Sequence, residues 1–138
     1  MVYTGDFPAT LQLLAYFKMM TDDILDDVTS GNKPMTSNQI ELIAILGRRM
    51  TMKEVAEAMR MHPSNLTGLV NACSDAGWIE RVPSKTDKRT KYLVLTPSGA
   101  KKRQLLLGDL ADAMFRVSGI TDEVAAQMLS LIKIPEAA

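Results

Sequence analysis

Two β-prone runs, Trp78 to Val82 and Lys91 to Leu95, enclose the polar segment Pro83-Ser84-Lys85-Thr86-Asp87-Lys88-Arg89-Thr90; on either side, apolar residues recur at helical spacing. A single hairpin set among helices makes the fold mainly α, with a small β-hairpin. Ahead of it, Leu13, Phe17, Met20, Ile24 and Val28 follow Pro8 at three- and four-residue steps and predict a long amphipathic helix ending at Ser30-Gly31-Asn32. Thr36 with Gln39 signals a capping box for a second helix, stopped by Gly47. Thr51 with Glu54 repeats that signal for a short third helix carrying Val55, Ala56 and Met59 on one face. His62 then stands as N-cap before Pro63, and the fourth helix runs with Leu66, Leu69, Val70 and Cys73 inward to Gly77, a natural left-handed stop. After the hairpin, Thr96-Pro97 opens a long helix whose Leu107, Leu110, Met114 and Val117 form a seam up to Gly119. A last helix from Thr121 carries Val124, Met128 and Leu131, and the chain ends soon after Pro135.

A short helix, a tight turn, a second helix and a basic hairpin together read as a winged helix-turn-helix. With 138 residues the chain is expected to be a single domain, 1–138, with this core at 36–96. The flanking helices, 7–30 and 97–133, expose more apolar stripe than so small a core covers. A symmetric homodimer would cover it, through Leu13, Phe17, Met20, Leu107, Leu110, Met114, Val117, Met128 and Leu131.

The formal net charge of zero hides a gradient. Met1 to Ser30 holds five acidic residues against Lys18, and Gln104 to the end holds five against Arg116 and Lys133. Between Trp78 and Arg103, by contrast, Arg81, Lys85, Lys88, Arg89, Lys91, Lys101, Lys102 and Arg103 face only Glu80 and Asp87, a plausible phosphate footprint. One cysteine and one histidine exclude the common zinc sites, and no Gly-rich phosphate loop is present. No metal, cofactor or catalytic residue is therefore expected, and no nucleophile, base and orienter are suggested by spacing. No apolar run approaches the roughly 20 residues of a membrane span, and Met1 to Pro8 lacks the pattern of a secretory signal, so a cytoplasmic protein without membrane contact is expected.

Several short pieces give the chain a family likeness: Val55-Ala56-Glu57, Leu66-Thr67 with Leu69-Val70, Gly77-Trp78-Ile79-Glu80-Arg81, and Asp87-Lys88-Arg89 followed by Leu93, Leu95-Thr96 and Gly99. From Thr36 to about Lys101 the sequence resembles the MarR family of bacterial and archaeal transcriptional regulators, in register and without a gap. The resemblance implies a dimer joined through its terminal helices, a recognition helix in the major groove of double-stranded DNA, and a wing touching the minor groove or its phosphates. At the matching positions, His62, Pro63, Ser64, Asn65, Thr67, Gly68 and Asn71 fall on the outward side of the fourth helix. Asparagine can pair bidentately with adenine, and serine or threonine can meet phosphates or bases. The chain departs from the family at Gly68, where relatives often carry a basic residue, and no Lys or Arg lies between His62 and Ala76.

Arg89 resembles the family's wing arginine, with Asp87 placed to orient it by a charge-assisted hydrogen bond; Arg81, Lys85, Lys88 and the Lys101-Lys102-Arg103 cluster would add phosphate contacts. Cys73 reads as a buried packing thiol, since redox-sensing relatives carry their cysteine in the first helix. Met19, Met20, Met114 and Met128 fit either an adaptable ligand pocket or ordinary core packing. The function implied is a homodimeric repressor or activator acting on an inverted repeat, and release by a small-molecule effector is admitted by the same resemblance. A second reading is a winged-helix module for protein assembly with DNA binding weakened or lost. The neutral total charge and uncharged recognition helix favour it, and the basic wing opposes it.

Overall fold

The computed structural model describes residues 6–133, so Pro135 lies outside the described residues. Asn32–Leu107 forms one compact unit; the described parts of Met1–Gly31 and Gly108–Ala138 form a second.

In the first unit, local capping signals decide where helices begin. Thr36 Oγ1 accepts from the Gln39 N–H at 3.2 Å, and Gln39 Oε1 accepts from the Thr36 N–H at 3.0 Å, a closed capping box that starts α2 (Ser37–Ile45). Thr51 caps α3 (Met52–Met59) by accepting from the Glu54 N–H, but the box stays half made: the Glu54 carboxylate accepts instead from Arg48 Nη1 at 3.0 Å. Helix α3 stops at Arg60, a non-glycine residue in the left-handed region at φ 51°. Next, His62 Nδ1 accepts from the Ser64 N–H and starts α4 (Pro63–Asp75), with Pro63 at the first helical position.

Gly77, at φ 81°, closes α4 as expected. Its N–H donates to Ser74 O at 2.9 Å and the Trp78 N–H to Cys73 O at 3.0 Å, the paired bonds of a Schellman stop. That stop uses the Trp78 N–H, so β2 (Ile79–Pro83) starts one residue later than the β-prone run. It pairs antiparallel with β3 (Lys91–Leu95), in register from Ile79↔Leu95 to Pro83↔Lys91. The other edge of β3 takes a strand the sequence does not announce, β1 (Met50–Thr51), paired Met50↔Leu93. Two residues carry no alternation; β1 forms because a distant strand offers it an edge.

Helix α5 (Pro97–Ser118) opens on Thr96, whose hydroxyl donates to Gly77 O and accepts from the Gly99 N–H. Gly99 is obligatory: a Cβ there would stand 2.0 Å from the Trp78 carbonyl oxygen. Ile40, Leu42, Ile43, Val55, Leu66, Val70, Cys73, Ile79, Leu93 and Leu106 pack into the core of this unit.

The second unit holds α1 (Ala9–Gly31), the part of α5 from Gly108 onward, and α6 (Asp122–Leu131), which starts on a Thr121 cap. Among its described residues only Ile24, Val28 and Ala113 are buried apolar residues. Arg116 Nη2 and Nε both donate to Asp27 Oδ2, at 2.6 and 3.2 Å, tying α5 to α1.

Candidate nucleic-acid interface

The periodicity that buries Leu66, Val70 and Cys73 leaves the opposite side of α4 to solvent: His62, Pro63, Ser64, Asn65, Thr67, Gly68 and Asn71 are all exposed, and Leu69 is half-buried. Several of these side chains are already engaged. Ser64 Oγ lies 2.7 Å from His62 Nδ1, and the Thr67 hydroxyl turns back to donate to Pro63 O at 3.1 Å. Asn65 keeps its amide unpaired among the described residues. Asn71 is held from outside its helix, by Arg81 of β2, whose Nη2 donates to Asn71 Oδ1 at 2.6 Å. Ten positions separate the two, so no local pattern could reveal that bond.

The wing is shaped by its short polar residues. The Ser84 N–H donates to Thr90 O at 2.8 Å, and Ser84 Oγ accepts from the N–H groups of Thr86 and Asp87. Asp87 takes a different bond from the one its spacing suggests. Its carboxylate accepts from the backbone N–H of Arg89 and from the Thr90 hydroxyl, both at 3.0 Å, and makes no ion pair with the guanidinium. Both bonds close the turn locally, so Asp87 orders the backbone on which Arg89 sits. Lys85, Lys88 and Arg89 are exposed and unpaired by any carboxylate among the described residues.

The basic cluster after the wing divides. Lys101 is exposed, whereas Lys102 Nζ lies 5.8 Å from the Trp78 ring centre. Arg103 is drawn inward: its Nε donates to Ala44 O at 2.9 Å and its guanidinium fills the space beside Gly47, capping the end of α2. Arg103 is thus a structural residue, against the expectation of a phosphate contact. A cation the sequence reading passed over is Arg49, which lies 4.7 Å from the Tyr92 ring centre at the base of the wing. Cys73, at the core, has its thiol pushed up to about 11 by burial, which keeps it protonated and unreactive.

Residues 30–90 match the MarR family. The unit that holds nearly all of them, Asn32–Leu107, folds as a winged helix-turn-helix. Among relatives, YfiV of Bacillus subtilis (strain 168), an HTH-type transcriptional regulator, is 32% identical over 89 residues, which cover 62% of this chain and 56% of YfiV. The chain thus spans about half the length of that relative. Escherichia coli MarR in its apo form superposes with a TM-score of 0.73 over 92% of this chain and 96% of its own, at 21% identity. CouR from Rhodococcus jostii RHA1, solved bound to p-coumaroyl-CoA, superposes with a TM-score of 0.68 over 90% and 88%, at 20% identity. At these identities the two structures show that the MarR fold is shared.

Of the residues expected at a dimer interface, the second unit brings Phe17, Met20, Met114 and Met128 together around a cavity of about 240 Å³, lined also by Ile120, Ala125, Leu129 and Ile132. Leu13, Val117 and Leu131 of that unit are exposed, as is Leu107 of the first, and Leu110 is half-buried. The sequence seam missed Leu14, Phe115 and Leu129, which lie off the strict spacing and are more than half exposed.

Proposed function

We propose that this chain is a homodimeric, DNA-binding transcriptional regulator, with 36–96 as its DNA-contacting core and 7–30 and 97–133 as dimerisation helices of one domain. The observation that carries the reading is the exposed polar face of α4 beside a wing whose Lys85, Lys88 and Arg89 have no carboxylate partner among the described residues. In this reading α4 enters the major groove with His62, Pro63, Ser64, Asn65, Thr67, Gly68 and Asn71 toward the bases. Lys85, Lys88 and Arg89 meet phosphates or a narrow minor groove, and Arg81 contacts the DNA from β2. Two symmetry-related helices would read half-sites of an inverted repeat about 34 Å apart. Such a regulator works where the DNA is, in the cytoplasm; among the described residues no helix is long and apolar enough to cross a membrane.

Response to a small-molecule effector belongs to the same proposal, on two grounds: the Met-lined cavity of the second unit, and the p-coumaroyl-CoA bound by CouR. Footprinting on DNA upstream of the protein's own gene, at several salt concentrations, tests the reading. A protected inverted repeat is expected, with log affinity falling against log salt at about −0.9 per neutralised phosphate. A flat salt response without a protected repeat would favour the protein-assembly module instead.

A further inference from the structure

We infer that Asn71 and Arg81 act as one composite reader, rich in donors, that selects guanine over adenine in the major groove. Arg81 Nη2 lies 2.6 Å from Asn71 Oδ1, and both side chains are exposed. A guanidinium carries five N–H donors and no acceptor, so chemistry alone fixes how the amide sits: oxygen toward Arg81, NH₂ on the other side. Asparagine reads adenine by accepting from N6 while donating to N7, and that pairing needs the oxygen Arg81 holds. The lone pair left on that oxygen lies beside a fixed positive charge, which repels the adenine N6–H donor.

What the pair still offers is donors, namely the Asn71 NH₂ and the remaining guanidinium N–H groups. Guanine presents two acceptors on its major-groove edge, O6 and N7. Room for a base edge exists, because Gly68, one turn before Asn71, has nothing within 4 Å of where a Cβ would stand. Helix α4 has no Lys or Arg of its own, so Arg81, reaching over from β2, supplies the missing cation. Arg81 carries the discriminating contact, and Asn71 holds it in place while its NH₂ adds a further donor.

The inference rests on the DNA-binding reading, and selection of binding sites from a randomised duplex pool separates the two. The wild-type protein should enrich a repeat in which guanine beats adenine about tenfold at one position per half-site. N71A should lose most of that preference, its affinities for the guanine and adenine forms of the repeat converging. R81M, which frees the Asn71 oxygen, should turn the same position toward adenine. Should R81M not fold by circular dichroism, R81A serves, since it likewise removes the cation and frees the Asn71 oxygen, and the guanine preference falls. Unchanged base preferences in these variants, or a wild-type repeat with no guanine preference, overturn the inference and leave DNA binding standing. Failure of the wild-type protein to enrich any duplex would overturn both.

Discussion

Gly68 and Gly99 are one residue type under opposite constraints. Gly68 sits inside α4, and a side chain there would meet nothing within 4 Å. Gly68→Ala should therefore raise stability by about 0.5–1 kcal/mol, the usual cost of glycine in a helix interior. Gly99→Ala should unfold the first unit or nearly so, because its Cβ would stand 2.0 Å from a backbone carbonyl that a Thr96 N–H also holds. Urea denaturation of both variants checks the pair. Cys73 gives a pH signature. Burial raises its thiol from the ordinary 9.0 to about 11, so the folded state binds the proton more tightly than the unfolded chain. Its contribution to stability is whole below pH 9.0 and is lost as pH rises toward about 11, a loss that Cys73→Ala should not show. The sequence made Cys73's burial legible through helical spacing, yet it could not show Arg81 holding Asn71, which is a meeting of two elements.

Among elements, those announced in the sequence are those whose ends are made by neighbours in the chain. The Thr36 box, the His62-Pro63 start and the Gly77 stop each close within five residues. Strand β1 and the Arg103 cap on α2 were hidden because their partners lie far along the chain. The wing tip lies between these cases: its Asp87-x-Arg89 spacing was visible, but which atom of Arg89 the carboxylate would choose was not. Since Asp87 grips the Arg89 N–H and the Thr90 hydroxyl, Asp87→Ala should speed amide hydrogen exchange at Arg89 well beyond that of β3. Arg89→Ala should leave that turn intact and weaken binding to many DNA sequences alike, since a wing contact to phosphate carries little base information. Equal affinity of the Arg89 variant and parent at low salt would remove Arg89 from the interface.

At the scale of the whole molecule, the two units differ in how well they bury what they carry. The first encloses most of the buried apolar residues, while the second leaves Leu14 66%, Phe115 58% and Leu131 87% exposed. Scattered apolar residues are normal on a monomer, but a helical unit with so little of its own core needs a covering surface. In the proposed homodimer a second copy would supply one, and an obligate interface of that kind exceeds about 2,000 Å². The acidic residues of this unit, among them Asp22, Asp23, Asp26 and Asp112, make an interface built on charge pairs between identical copies a poor alternative. Association should therefore be apolar and insensitive to salt, whereas DNA affinity should fall steeply between about 50 and 200 mM salt. Sedimentation at micromolar protein should give a dimer mass across that range. L14E combined with F115E should give a monomer that keeps its winged core, by circular dichroism, and loses most of its affinity for an inverted repeat because only one half-site is held at a time. A wild-type monomer, or a double variant that still sediments as a dimer, would mean that these exposed helices serve some other surface.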